Sequence, residues 1–508
     1  MKHRNGKRWL SLALAALMLT ATISATACGD ADQKQSTDTT AAPSAGNTTP
    51  VPETTESDYD ANGYLKDDLP GDLNYKQETF HILGWKHGNP EFDVESLTGD
   101  VINDSIYNRN QTIEERLGVD LEFTIIDGNS AAVAQFCNTV TNNVQANAQA
   151  YDAIACYPRS AASLAVNHML LDLQEIEYLN FEKPWWPESL LELYTLYDNL
   201  YFMSGDIAST VLFQMMFMIY NNDLGTDFGF ENPQQLAAEG KWTMEKMLGM
   251  TADVYADLDG DQKKSESDRY GLFSIYHPNL DIFYIGSDMH FVETNQEGDL
   301  IISEDFFSEK HYSLNDMLRN LYHVSNDGYF SKSISDTSVF ANGNSLLYNV
   351  TGQILYQSIR QSDMNYSILP APKFDEKQEN YATAIAFTHT SYCVPIDARD
   401  TDMSGAVLEA MASEGYRTVT PAIFETAFKY QYSNSQYDAD LFDVIRSSVA
   451  FDLGRPFHDE LGGDSSAPTI LWRNQLINNV NQLSVLKATF SKMWAKTLEK
   501  INEKLMTE

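Results

Sequence analysis

An α/β fold is predicted for this chain by three observations. Short apolar runs of strand length alternate with segments of helical period from Phe80 to Tyr157. Hydrophobic residues make up 43% of the 508 positions and aromatics 12%, enough to fill large cores and to exclude a mainly disordered chain. At roughly 150 residues per domain the length suggests two or three domains. With 34 Lys and Arg against 72 Asp and Glu, the formal charge is −38. That balance argues against a nucleic-acid binder, which needs clustered basic residues. Four cysteines over this length exclude a disulfide scaffold.

In chain order, Lys2, Arg4, Lys7 and Arg8 precede an uncharged apolar run from Trp9 to Ala27, the pattern of an export signal over residues 1–27. Such a run nearly spans a bilayer as well, but Thr20, Thr22, Ser24 and Thr26 dilute its distal half and favour cleavage. It ends Ala25-Thr26-Ala27-Cys28-Gly29, which resembles the lipobox of bacterial lipoproteins, with Ala25 where Leu is usual. In that family the cysteine carries the lipid (palmitate among the acyl chains) and becomes the mature N-terminus, so Cys28 is the expected lipidation site. Residues 28–62 are rich in Ser, Thr, Ala, Pro, Gly and acid, and read as a flexible tether that holds a body near the membrane without inserting it. No later stretch is long and apolar enough to span. Removing residues 1–27 leaves 30 basic against 72 acidic residues, a mature charge of −42.

Phe80–Trp85 reads as the first strand of the body. Residues 101–117 follow with Ile102, Ile106, Ile113 and Leu117 on one helical face, then a strand at 121–126. Residues 131–147 carry a helical stripe of Val133, Phe136, Val140 and Val144, and a strand at 151–157 completes the series. Strand–helix–strand at this spacing implies right-handed crossovers and a largely parallel sheet, whose ligands sit outside the carboxyl ends of the strands. Trp85 and the Tyr157-Pro158-Arg159 turn occupy such ends. Beyond residue 200, strands are predicted at 200–203, 215–220, 270–273, 345–349, 366–370 and 391–396. Helices are predicted near 243–256, 313–324, 351–361 and 403–413, with one long amphipathic helix over 474–506.

Several segments together resemble the extracellular solute-binding proteins of bacterial ABC importers, the sugar-binding branch above all. They are Tyr107-Asn108-Arg109-Asn110 with Ile113 to Val119, Ile219 to Leu224 followed by Trp242-Thr243, Phe340 to Leu347, and Ile368 to Lys373. The resemblance implies a periplasmic-binding-protein-like fold of two α/β lobes, both discontinuous, joined by hinge crossovers near 205–218, 365–372 and 415–420. Lobe one would be 63–216 plus 367–416, and lobe two 217–366 plus 417–508. It further implies a monomer that delivers a carbohydrate to ABC permease subunits from the outer face of the cell membrane.

Two constellations carry chemistry. Asp257, Asp259, Asp261, Ser265 and Asp268 stand at positions 1, 3, 5, 9 and 12 of a loop, a spacing that can wrap oxygen ligands around a structural calcium ion. Gln262 replaces the usual turn glycine and Asp268 the usual Glu, and the segment also reads as an acidic β-turn. Sugars pack their C–H faces on aromatic rings and need paired hydroxyl partners, which Trp and Tyr supply together. Trp85, Tyr157, Trp185, Trp186, Tyr220 and Tyr348 are candidates for that role, with Arg159 and Asp206 for bidentate hydroxyl contacts; each also suits a core position or surface ion. Trp242 reads as core. Trp185 and Trp186 fall in a loop after Lys183-Pro184, where an exposed pair is expected to bind. Cys156 and Cys393 read as buried free thiols. No Walker loop, nucleophile elbow or zinc-protease motif is present. A non-enzymatic carbohydrate receptor follows, with a lipoprotein glycoside hydrolase or lyase, or a peptide receptor of the same fold, as alternatives.

Overall fold

The computed structural model describes residues 58–506 apart from 276–277, 332, 334–335, 360–361, 387 and 425–436. The expected signal peptide, Cys28 and residues 28–57 of the tether lie outside the described residues. Its last positions, 58–62, enter a turn in which the Asp60 carboxylate accepts the N–H groups of Asn62 and Tyr64. Among the described residues no helix is long and apolar enough to cross a membrane.

The first lobe begins with β1 (Glu78–Trp85). Helix α1 (Val101–Leu117) follows, capped by the Asp100 carboxylate on the N–H groups of Ile102 and Asn103 and ended by Gly118 in the left-handed region. Then come β2 (Val119–Ile126), α2 (Val133–Gln145), β3 (Ala153–Cys156) and α3 (Pro158–Val166). The expected Tyr157-Pro158-Arg159 turn is the start of α3. Proline lacks only an N–H that the first helical position leaves unused, so it opens the helix rather than preventing it. Helix α4 (Glu188–Tyr194) follows, burying Leu190 and Tyr194. The expected strand at 200–203 reduces to one bridge, Met203 to Tyr392.

The chain then crosses through a helical turn, Ser209–Phe213, into the second lobe. Here lie β4 (Met216–Asn221), β5 (Tyr270–Ile275), the hairpin β6 (Val292–Thr294) and β7 (Leu300–Ile302), β8 (Gly328–Ser331) and β9 (Ser345–Thr351). Helix α5 (Gly352–Gln357), β10 (Tyr366–Leu369) and β11 (Thr383–Ala384) follow. A second crossing, where Ile385 bridges Met215, returns the chain to β12 (Ser391–Cys393) and α6 (Thr401–Glu414). The third runs on from α6 through the wide helical turn Gly415–Val419 toward α7 (Asp438–Ser447). Strand β13 (Val449–Ala450), α8 (Pro468–Ile477) and α9 (Leu483–Met506) close the chain.

Two main sheets result, ordered β12-β3-β1-β2 and β10-β4-β9-β5-β8. β1 lies parallel to β2 and β3, with Phe80 opposite Leu121 and Leu83 opposite Ile154. Two further expectations need correction. The second lobe does not end at 366, because β10 pairs antiparallel with β4 (Ile368 opposite Ile219), and the return falls after Ala384. The expected single helix over 474–506 is two helices. Asn478 to Gln482 separate them, with Asn479 at φ 56, a conformation Asn tolerates and a continuing helix does not. Cys156 and Cys393 are free, buried thiols on adjacent strands.

Candidate functional site

Three strands deliver side chains to one interlobe face. β1 ends at Trp85, β3 runs into Tyr157 and Arg159, and the chain after β5 reaches Asp281 six residues past Ile275. These are carboxyl ends, where crossover helices leave a sheet open to ligand. The rings of Trp85 and Tyr157 stack with centroids 5.4 Å apart and planes at 29°, and His87 stands 4.9 Å from Trp85. The Trp85 indole donates to Thr390 Oγ1 (3.0 Å), and the Thr390 amide donates to Thr210 Oγ1 (2.9 Å). The aromatic floor is thereby tied to both of the first two crossings.

The second lobe supplies the facing charges. Asp281, fully buried, accepts from Arg455 Nη2 (2.6 Å) and Arg473 Nε (2.7 Å), and Arg455 also donates to the carbonyl of Ile385 on the second crossing. Two guanidiniums sharing one carboxylate out of water are held only because each has such partners. Burial depresses the Arg455 pKa, and Asp281 opposes the shift. The Tyr157 phenol is pushed up by burial, against the charges of Arg159, Arg473 and Arg455, and the Arg159 guanidinium lies 5.8 Å from the centre of that ring. Arg159 forms an ion pair with Asp459, on the segment between β13 and α8. Burial lifts the Asp452 carboxyl to about 6 although it accepts the N–H groups of Phe291 and Gly454. His389, on the second crossing, is held neutral by burial, its pKa lowered to about 4, and its Nε2 has no hydrogen-bond partner among the described residues.

Beside the first crossing the two lobes touch. Gln214 donates to Gln353 (2.8 Å), Gln357 to the Gly88 carbonyl (3.3 Å) and Tyr356 to Asp100 (3.3 Å), so that α5 of the second lobe rests on the loop after β1. Stacked rings beside fixed cations and amides suit a polyhydroxylated ring better than an extended peptide, which needs a free strand edge.

Of the residues singled out in the sequence, Trp85, Tyr157 and Arg159 come together here. The others do not. The expected exposed pair Trp185 and Trp186 is buried, and both indoles donate to one carboxylate, Glu409 of α6 (3.1 and 3.0 Å). Asp206 accepts from Thr420 (2.6 Å) and lies 3.8 Å from Arg446, on the hinge rather than in the cleft. Tyr220 sits near the far end of β4, packed over Gly225, where any Cβ would overlap its hydroxyl. Tyr348 is core, between Phe273 and Phe340, its hydroxyl on the Asp336 carbonyl. Trp242 is likewise buried, its indole on the Pro370 carbonyl. Sequence reasoning missed Asp281, Arg455, Arg473 and Asp459. For Asp281 a signal existed, since it follows the strand recognised at Tyr270; the arginines stand in no pattern.

The carboxylates of Asp257, Asp259 and Asp261 can bring oxygens within 4.8 Å of one another. Asp268 is not with them. It is buried, accepting the N–H groups of Leu258 and Ser265, so it ties the loop ends together instead of facing the cluster. The Ser265 hydroxyl is occupied by the N–H of Ser267.

Neither a protein-family profile nor a curated protein sequence matches the chain. Solved structures do. The GacH receptor of Streptomyces glaucescens, known unliganded and with acarbose, superposes with a TM-score of 0.54 at 12% identity, over 83% of this chain and 99% of that one. The galacto-N-biose/lacto-N-biose I-binding protein of an ABC transporter from Bifidobacterium longum gives 0.54 at 10% identity, over 84% and 98%. A cyclic α-maltosyl-1,6-maltose binding protein from Arthrobacter globiformis gives 0.53 at 10%, over 85% and 99%. The fold is that of the ABC-importer solute-binding proteins. The face just described lies between the two lobes of that fold, beside the crossings at 204–215, 385–386, 388–390 and 415–424.

Proposed function

We propose that the chain is a receptor that captures a carbohydrate in the interlobe cleft and passes it, intact, to an ABC permease. The observation that supports this best is the convergence of the Trp85–Tyr157 stack with Arg159 and the Asp281–Arg455–Arg473 cluster from the opposite lobe. Rings take the sugar's C–H faces, while guanidiniums and amides take its hydroxyls. The neighbours named for acarbose, lacto-N-biose and a cyclic maltosyl-maltose point to an oligosaccharide. Binding selects the closed arrangement of the lobes from an open–closed equilibrium, and no bond of the ligand is broken. The receptor works as a monomer, exported by residues 1–27 and anchored to the outer face of the membrane by a lipid on Cys28. Asp257, Asp259 and Asp261 offer three hard oxygen donors and fit a calcium ion that would brace the loop, with the rest of its shell from backbone and water.

Calorimetry against a panel of oligosaccharides, with product analysis of each mixture, tests the reading. Saturable binding of one class with unchanged glycan is expected. Hydrolysis of the glycan, or binding of peptides alone, overturns it.

A further inference from the structure

One helix departs from the acidic balance of the chain. No Asp or Glu occurs from Ser465 to Leu498, although 72 of the 508 residues are acids. Within and just after that stretch, α9 carries Lys487, Lys492, Lys496, Lys500 and Lys504 against Glu499 and Glu503. The last four lysines follow one another at intervals of four residues. Each interval advances about 6 Å along the helix axis and turns about 40° around it, so Lys492 to Lys504 form a ridge roughly 18 Å long. All four are exposed. Val485 and Met493 are exposed as well, at 53% and 39%, and on the helical projection both fall within the arc of the lysines.

The opposite face of the helix is locked to the second lobe. Trp494, Leu498, Ile501 and Leu505 are buried. Asn502 accepts the N–H of Leu300 (3.0 Å) and donates to its carbonyl (3.1 Å), which clamps α9 to β7. The Trp494 indole donates to the Ser466 carbonyl (3.0 Å). The ridge therefore has a fixed aim, away from the core. Lys504 reaches Asn167 at 3.3 Å, while Lys492, Lys496 and Lys500 pair with no acid among the described residues. Beside the ridge, between α9 and β7, lies an open cavity of about 530 Å³ with Leu300, Phe307, Leu498 and Met506 in its walls; Glu499 and Glu503 also line it.

We infer that this ridge is a docking face for a bilayer surface rich in anionic phospholipid. The inference rests on the proposed anchoring of the chain at its N-terminal end, and not on what the cleft binds. Residues 28–57 have linker composition and an r.m.s. reach of roughly 30 Å, against a radius of gyration of roughly 22 Å for a compact body of the size that follows. A leash of that length leaves the choice of the face that meets the leaflet to the body's own surface. At physiological salt a charge is felt over about 8 Å, so the face presented decides the interaction and the total excess of acid does not. Each lysine held near an anionic leaflet gains on the order of fivefold in binding. Val485, Met493 and the apolar cavity gain nothing from a soluble polyanion, whereas the boundary between headgroups and acyl chains accepts them.

The experiment uses the full-length protein made in bacterial cells, purified from the membrane fraction and inserted into preformed vesicles. One set is phosphatidylcholine alone and the other a mixture with phosphatidylglycerol. Lysines are acetylated with a water-soluble reagent and read by mass spectrometry. Labelling of Lys492, Lys496 and Lys500 is expected to fall about threefold to tenfold on the anionic vesicles at about 0.15 M salt, and to recover at about 1 M. Lys263, on the acidic loop of the second lobe, should label alike on both. In K492E/K496E/K500E, whose changes are confined to exposed positions, Lys504 should lose any difference between the two vesicles. Unprotected ridge lysines on both vesicles, with the chain anchored, overturn the inference. Equal protection on both does so too, since a second copy of the chain would then be the cover. Recovery of the chain outside the membrane fraction overturns the anchor and the inference together. None of these outcomes touches the carbohydrate reading, which calorimetry tests separately.

Discussion

Two aromatic pairs look alike in the sequence and do different work. Trp85 and Tyr157 stand at the ends of neighbouring parallel strands and meet in space although 72 positions apart, their rings stacked. Trp185 and Trp186 are adjacent in a loop, yet both rings turn inward and both indole N–H groups converge on Glu409. The difference lies in what each backbone end faces. A strand's carboxyl end opens on the cleft, so a ring there can be uncovered when the lobes part. A loop packed under α6 has no such exit, and its donors must be satisfied by a buried acceptor.

The largest expected effect separates the pairs by stability. Trp185→Ala removes a fully buried indole and should cost about 3–5 kcal/mol in denaturant unfolding, with glycan affinity of the folded fraction altered only through the hinge. A small stability loss joined to complete loss of binding would place Trp185 in the cleft after all. The next effect is in the pH dependence. Burial raises the Glu409 carboxyl from 4.5 to about 7, against the hydrogen bonds from Trp186, Asn180 and Trp185. The folded protein then keeps a proton that the unfolded chain releases, so the stability this group contributes is full below about 4.5 and lost as pH rises through about 7. Glu409→Gln stays neutral and loses one acceptor, about 1–2 kcal/mol. Its deficit against wild type should narrow between pH 4.5 and pH 8 in denaturant midpoints. A constant or widening deficit means that Glu409 is charged throughout.

The same contrast explains what could be read before the structure. Periodicity located β1, α1, β2, α2 and β3 because each buries a contiguous apolar face, and the Asp100 and Gly118 caps bound α1 within a residue of the expected limits. It misled wherever the deciding contact was distant. β10 looked like a lobe boundary until its pairing with β4 was known, and the run 474–506 looked like one helix because Leu476, Val480 and Leu483 keep the period across Asn479. In the cleft, residues at strand ends were legible, since the rule about carboxyl ends needs only local sequence. Asp281, Arg455 and Arg473 were not, because their meaning is the charge they share across about 190 positions of chain.

The smallest effect on stability is the most informative about the cleft. Trp85→Phe keeps an aromatic ring on Tyr157 but removes the indole N–H from Thr390 Oγ1, leaving that hydroxyl its contact with Thr210 Oγ1. Loss of one neutral hydrogen bond predicts about 1 kcal/mol in unfolding free energy. Thr390 lies on the second crossing and is bonded to the first, so the same change loosens the floor where the lobes must register on closing. Glycan affinity should therefore fall by about tenfold or more, beyond the factor of about five that 1 kcal/mol spans if it acted on binding alone. Titration calorimetry beside chemical denaturation of the same preparation decides it. Equal affinity with a 1 kcal/mol loss would make Trp85 a core residue like Trp185, and the contrast between the two pairs would then rest on Tyr157 and Arg159.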